Sequence, residues 1–95
     1  MRPAGLALII ILAAPSNPLL AQGTELLRSK GCLSCHDAER TRVGPSLRDI
    51  RARYKGDTSK SAEIAGRMKE GKGHPKIEAS DAELNAAVEA VISQK

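Results

Sequence analysis

Two cysteines, two histidines and a single tyrosine carry most of the chemistry open to this 95-residue chain. Both cysteines fall within Cys32-Leu33-Ser34-Cys35-His36. Thiols at this spacing sit on one helical turn, with the imidazole beside them. Three chemistries use such a cluster. A C-x-x-C pair in a βαβ context is a dithiol redox centre, and cysteines with histidines can bind zinc. The full C-x-x-C-H form attaches a c-type haem: the thiols reach the two vinyl groups on one edge of the macrocycle, and the histidine becomes the proximal iron ligand.

The chain discriminates among these. No segment shows the alternation of a strand, so the βαβ context is missing. A zinc site of Cys32, Cys35, His36 and His74 has enough ligands but not the usual paired spacing, since adjacent Cys35 and His36 rarely bind one tetrahedral ion. A disulfide between Cys32 and Cys35 would close a trivial loop and restrain almost nothing. One covalent haem, held by Cys32 and Cys35 with His36 on the iron, is the reading the motif favours.

Composition points the same way. Tyr54 is the only aromatic residue, and a chain this short buries only about 60% of its unfolded surface even when it folds well. The expected core is Leu26, Leu27, Leu33, Val43, Leu47, Ile50, Tyr54, Ile64, Met68, Leu84, Val88, Val91 and Ile92. Small domains with so little core mass add disulfides, a metal or a bound group.

Around the motif the chain divides into a leader and one domain. A basic start at Arg2, an apolar run over residues 4–14 and the breaker-rich "PSNPLLAQG" read as a secretory signal peptide, residues 1–21, cut after Ala21, with Ser16 as the alternative site. The apolar run is too short to span a bilayer as a helix. Residues 22–95 then form the mature domain, exported to the periplasm. Without Arg2 it has 14 basic and 11 acidic residues, interspersed and without aromatic interleaving, which excludes a nucleic-acid surface. The basic run Arg40, Arg42, Arg48, Arg51, Arg53 and Lys55 offers either a docking patch or an ordinary solvated face.

Four helices are expected. Residues 24–30 form the first, stopped by Gly31. Residues 46–54 form the second, opened by Ser46 after the helix-excluding pair Gly44-Pro45. A third lies within residues 57–71 and carries Ile64 and Met68 before Gly71 stops it. The last begins at Ser80 with Glu83 as its capping-box partner and carries Leu84, Ala87, Val88, Val91 and Ile92 on one stripe. Between Gly71 and Ser80, "GKGHPKIEAS" reads as a loop.

In this order, "GCLSCH", "VGPSL", the helix ending in Tyr54, the Pro-containing loop and the amphipathic C-terminal helix resemble a small bacterial class I cytochrome c. The resemblance spans the mature chain. It implies an all-α fold, about four short helices wrapped around one haem. It implies that the Pro45 carbonyl accepts a hydrogen bond from the outer nitrogen of His36, and that Tyr54 belongs with the haem-binding residues. It also implies that the first and last helices cross. The aromatic residue often found on the last helix is absent here, which suggests looser packing at that crossing.

The family usually presents methionine, often followed by proline, as the sixth iron ligand. At that position this chain has His74, followed by Pro75. The substitution suggests a bis-histidine iron, with His36 and His74 as metal ligands and Met68 as a core side chain. Lys72 and Lys76 would have to lose a proton before binding. A second imidazole favours ferric iron and lowers the potential relative to methionine. The expected function is therefore single-electron transfer between redox protein partners, or as the haem subunit of a redox enzyme. The chain itself is expected to have no enzymatic activity. The alternative is a gas-binding or sensing module in which His74 dissociates, helped by the glycines flanking Lys72.

Overall fold

The computed structural model describes residues 5, 7 and 18–94. Helices α1 (Pro18–Ser29), α2 (Leu47–Tyr54), α3 (Ser61–Glu70) and α4 (Asp81–Ser93) carry the chain. Single 3-10 turns, Cys32–Ser34 and Thr58–Lys60, follow α1 and precede α3, and no strand occurs among the described residues. The all-α expectation holds. No helix among these residues is long and apolar enough to cross a membrane.

Local chemistry sets most helix ends. The Ser46 hydroxyl accepts the Asp49 N–H at 3.0 Å and opens α2. At α4 the capping box is complete: Ser80 Oγ accepts the Glu83 N–H at 3.1 Å, and Glu83 Oε1 accepts the Ser80 N–H at 3.0 Å. Gly71, at φ 75°, takes the left-handed turn that stops α3. Helix α1 is the exception: the chain is already helical at Pro18, ahead of Thr24. Leu19, Leu20 and Ala21 are strong helix formers. The expected cut after Ala21 therefore falls inside a helix. Apart from Gly5 and Ala7, the earlier part of the expected leader lies outside the described residues, as does Lys95.

Packing centres on α4, which has apolar side chains on two faces. Leu26 and Leu27 of α1 pack with Ala86, Ala87 and Val91, joined by half-buried Cys32, Leu47 and Ile50. On the other side Ala65 of α3 packs with Leu84, Val88 and Ile92, joined by half-buried Tyr54, Ile64, Met68, Ile77 and Ala79. Two expected core residues are not there. Val43 is 83% exposed and Leu33 43%, because both lie in the irregular stretch between α1 and α2, outside either cluster.

The crossing of α1 on α4 is tight rather than loose. Gly23 is buried, and a Cβ built on it would collide with the Ala86 carbonyl oxygen and stand 2.8 Å from Ala90 Cβ. Small residues on both helices replace the missing aromatic side chain with close backbone approach.

Two outcomes follow from these contacts. Gly23→Ala should lower the denaturant midpoint, because overpacking at about 1–3 kcal/mol outweighs the gain in helix propensity of up to about 1 kcal/mol. The second concerns acid. Hydrogen bonds from Ser80, and then the charge of Lys30, hold the Glu83 carboxyl below its usual range. A depressed folded-state value means a contribution to stability that is complete above the unfolded value of about 4.3 and lost as pH falls through the folded one. Glu83→Gln keeps the cap, so thermal melts should show α4 intact at neutral pH and a shallower loss of stability on acidification.

Candidate functional site

Gly31, at φ 76°, reverses the chain after α1 and starts the turn that carries the thiols. The Cys35 and His36 N–H groups both reach back to the Cys32 carbonyl, at 3.2 and 2.9 Å. Cys32, Cys35 and His36 thus share one turn, each half-buried, and both cysteines are free thiols. Burial pushes the Cys32 thiol above its ordinary value. Dithiol redox centres rely on the opposite shift, and the described residues contain no strand from which a βαβ context could be built.

The segment after His36 folds back onto it. The Gly44 N–H donates to the Cys35 carbonyl at 3.0 Å and the Leu47 N–H to the Asp37 carbonyl at 2.9 Å. This brings the Pro45 carbonyl 2.6 Å from His36 Nδ1. A carbonyl only accepts, so Nδ1 carries the proton and Nε2 keeps the lone pair that a metal can take. The acceptor is the one the resemblance implied.

His74 sits in a loop closed at both ends on α3. The Lys72 N–H donates to the Arg67 carbonyl at 2.9 Å, and the Ile77 N–H to the Met68 carbonyl at 3.0 Å. Between these ties His74 Nδ1 donates to the Pro75 carbonyl at 2.7 Å, which again leaves Nε2 unprotonated. The two imidazoles face one another across the site: their centroids are 6.0 Å apart and their planes 10° from parallel.

Around them is an apolar slot in two lobes that share Cys32, His36 and Ile77. One lobe runs inward past Leu47, Ile50, Tyr54, Ile64 and Met68 to α4; the other holds Cys35, Val43, Gly44, His74 and Pro75. Tyr54 and Met68 therefore line the inner lobe, and His74 the outer one. A larger, more open groove between α3 and the start of α4 contains neither cysteine nor histidine, and its rim of Lys69, Glu70, Lys76, Glu78 and Asp81 is charged. It is not the site of this chemistry. Two thiols on one turn, two metal-competent nitrogens and apolar walls suit a large flat metallo-group. Zinc fits poorly, since no cluster of three or more His, Cys, Asp or Glu converges among the described residues.

Sequence reasoning missed Gly44. A Cβ there would stand 2.6 Å from His36 Cε1. The "VGP" string held the signal, but its glycine was read only as a helix breaker.

Comparison with known proteins decides the family. The family model for cytochrome c matches residues 20–89. The chain belongs to the cytochrome c family. It is 34% identical to cytochrome c-551 of Pseudomonas aeruginosa over 102 aligned residues, covering 94% of this chain and 96% of that protein. Cytochrome c-551 of Azotobacter vinelandii is 32% identical over 80 residues, covering 77% of this chain and 98% of its own. Cytochrome c-552 of Nitrosomonas europaea is 29% identical over 79 residues, covering 75% and 77%. This cytochrome accordingly carries one covalently bound haem c with its iron, and its role is electron transfer.

Proposed function

We propose that this cytochrome is an exported, periplasmic carrier of single electrons whose haem is attached through Cys32 and Cys35 and ligated by His36 and His74. When bound, the haem supplies an iron that cycles between ferric and ferrous states. The residues supply attachment, orientation and a dry setting. The observation that carries the reading is the matched pair of histidines: each Nδ1 donates to a prolyl carbonyl, leaving each Nε2 free. Imidazoles bound on opposite sides of one ion, with metal–nitrogen bonds of about 2 Å, have centroids about 6 Å apart; the separation here is 6.0 Å.

Met68 is the competing ligand. It is anchored in the cluster of Ala65, Leu84, Val88 and Ile92 and serves as a wall of the slot. If His36 and His74 both held the iron, no position would remain open for a substrate, which supports a carrier rather than an enzyme. The potential should lie below that of methionine-ligated relatives.

The partners are redox proteins. Exposed Val43 lines the outer lobe and exposed Leu33 lies between the two cysteines in the chain; Arg40 and Arg42 lie close before Val43, which suits a partner with an apolar centre and an acidic rim. Part of the basic run is engaged elsewhere: Arg48 pairs with Glu39 at 3.3 Å, and Arg51 donates to Gln94 at 3.0 Å. A sensing role draws support from the left-handed glycines 71 and 73 beside Lys72. The ties at Lys72 and Ile77 oppose it by closing the loop on α3.

Two experiments test the assignment. Replacing Cys32 and Cys35 by Ala should abolish covalent haem and leave a largely unfolded chain, as denaturing mass spectrometry and circular dichroism would report; a compact helical apoprotein would contradict this. The oxidised wild type should be low-spin without the sulfur-to-iron charge-transfer band. His74→Met should create that band and raise the potential, whereas Met68→Leu should do neither. His74→Ala should let the reduced protein bind carbon monoxide, which the wild type should resist. A wild-type thioether band lost in Met68→Leu would make Met68 the ligand.

A further inference from the structure

The two imidazoles are restrained in rotation as well as in position. On the proximal side, a methyl group on Gly44 would stand 2.6 Å from His36 Cε1, 2.9 Å from Nδ1 and 3.2 Å from Nε2. Gly44 does not have a positive φ, so what makes glycine necessary there is space beside the ring, not backbone conformation. The backbone at position 44 is tied in place beside the ring, because the Gly44 N–H donates to the Cys35 carbonyl and its carbonyl accepts the Arg42 N–H, both at 3.0 Å. The His36 ring is thus held at Nδ1 by the Pro45 carbonyl, in space that any side chain at position 44 would take.

On the distal side one residue does both tasks. Pro75 restricts the backbone of His74 to extended conformations. Its own φ is fixed by the ring, which sets the direction of the carbonyl that accepts His74 Nδ1–H at 2.7 Å. The outcome of the two arrangements is a 10° angle between the imidazole planes.

We propose that Gly44 and Pro75 are positioning residues that hold the two axial imidazoles in nearly parallel planes, an inference that rests on the bis-histidine reading. Parallel imidazoles donate π density to the same iron d orbital, and perpendicular ones to two different orbitals. In the parallel case the ferric hole occupies one orbital with a fixed direction in the haem plane. Ring orientation would therefore set the direction of the unpaired spin in the ferric haem.

The test is the frozen-solution electron-paramagnetic spectrum of the ferric holoprotein, read beside its optical spectrum. Parallel planes give a rhombic low-spin signal with every g component resolved. A low-spin, thioether-free protein with a single, strongly shifted g feature overturns the parallel arrangement and leaves the ligation standing. A thioether band or a high-spin signal overturns the ligation, and the proposal with it. Gly44→Ala should shift the largest g value upward while the optical spectrum stays low-spin, and Pro75→Ala should shift it in the same direction. Gly66→Ala, where an added methyl meets nothing within 4 Å, should leave the signal unchanged. If Gly44→Ala fails to take up haem, the wild-type and Pro75→Ala spectra still decide. A rhombic signal unmoved in Pro75→Ala, and in Gly44→Ala where it folds, removes these residues from the role.

Discussion

Two aliphatic clusters, one between α1 and α4 and the other between α3 and α4, turn half-buried side chains toward a shared slot instead of closing on each other. Leu47, Ile50, Tyr54, Ile64 and Met68 would each be better buried than they are. A chain with one aromatic residue has little volume with which to fill such a gap from its own side chains. The division of the core thus follows from composition, and it explains why a bound prosthetic group is part of the fold as well as its reactive centre.

Control over the imidazoles comes from backbone rather than from side-chain partners. Among the described residues the hydrogen-bond partners of the two rings are prolyl carbonyls, at 2.6 and 2.7 Å. A neutral acceptor fixes the tautomer without adding a titrating group to the histidine–acceptor pair. Because a backbone carbonyl is present whatever the side chain, sequence alone discloses such an acceptor only through the residue that aims it. Here the aiming residue is proline in both cases.

What could be read in advance was what depends on neighbours in the chain. Ser46, the Ser80–Glu83 box and the stops at Gly31 and Gly71 act within a few residues, and they stand where expected. Gly23 and Gly44 were not legible as contacts. Gly23 answers to Ala86 and Ala90, and Gly44 to His36; neither has the positive φ that makes glycine conspicuous locally. Leu33 and Val43 failed in the opposite direction. Hydropathy suggested burial, but much of any folded surface is apolar, and Leu33 lies within the thiol turn while Val43 lies on the segment that folds back on His36. The placement of His74 also involves the tie of Ile77 to Met68 and the Pro75 carbonyl, so position in the sequence could nominate His74 but not orient it.

The two histidines belong to different halves of the divided core. Cys32 packs on the cluster under α1, and the chain just after His36 is tied to it through the Leu47 N–H and the Asp37 carbonyl. The His74 loop is fastened to the other cluster through Ile77, whose side chain packs there and whose N–H meets the Met68 carbonyl. Under the proposed ligation, coordination from both sides links the α1 half to the α3 half across the slot, in addition to the wall that α4 already provides. Metal binding and folding are then one equilibrium. Loss of His74 would weaken more than the iron's sixth bond, because it would also release the α3 half from the proximal turn and leave α4 alone to hold the two clusters in register.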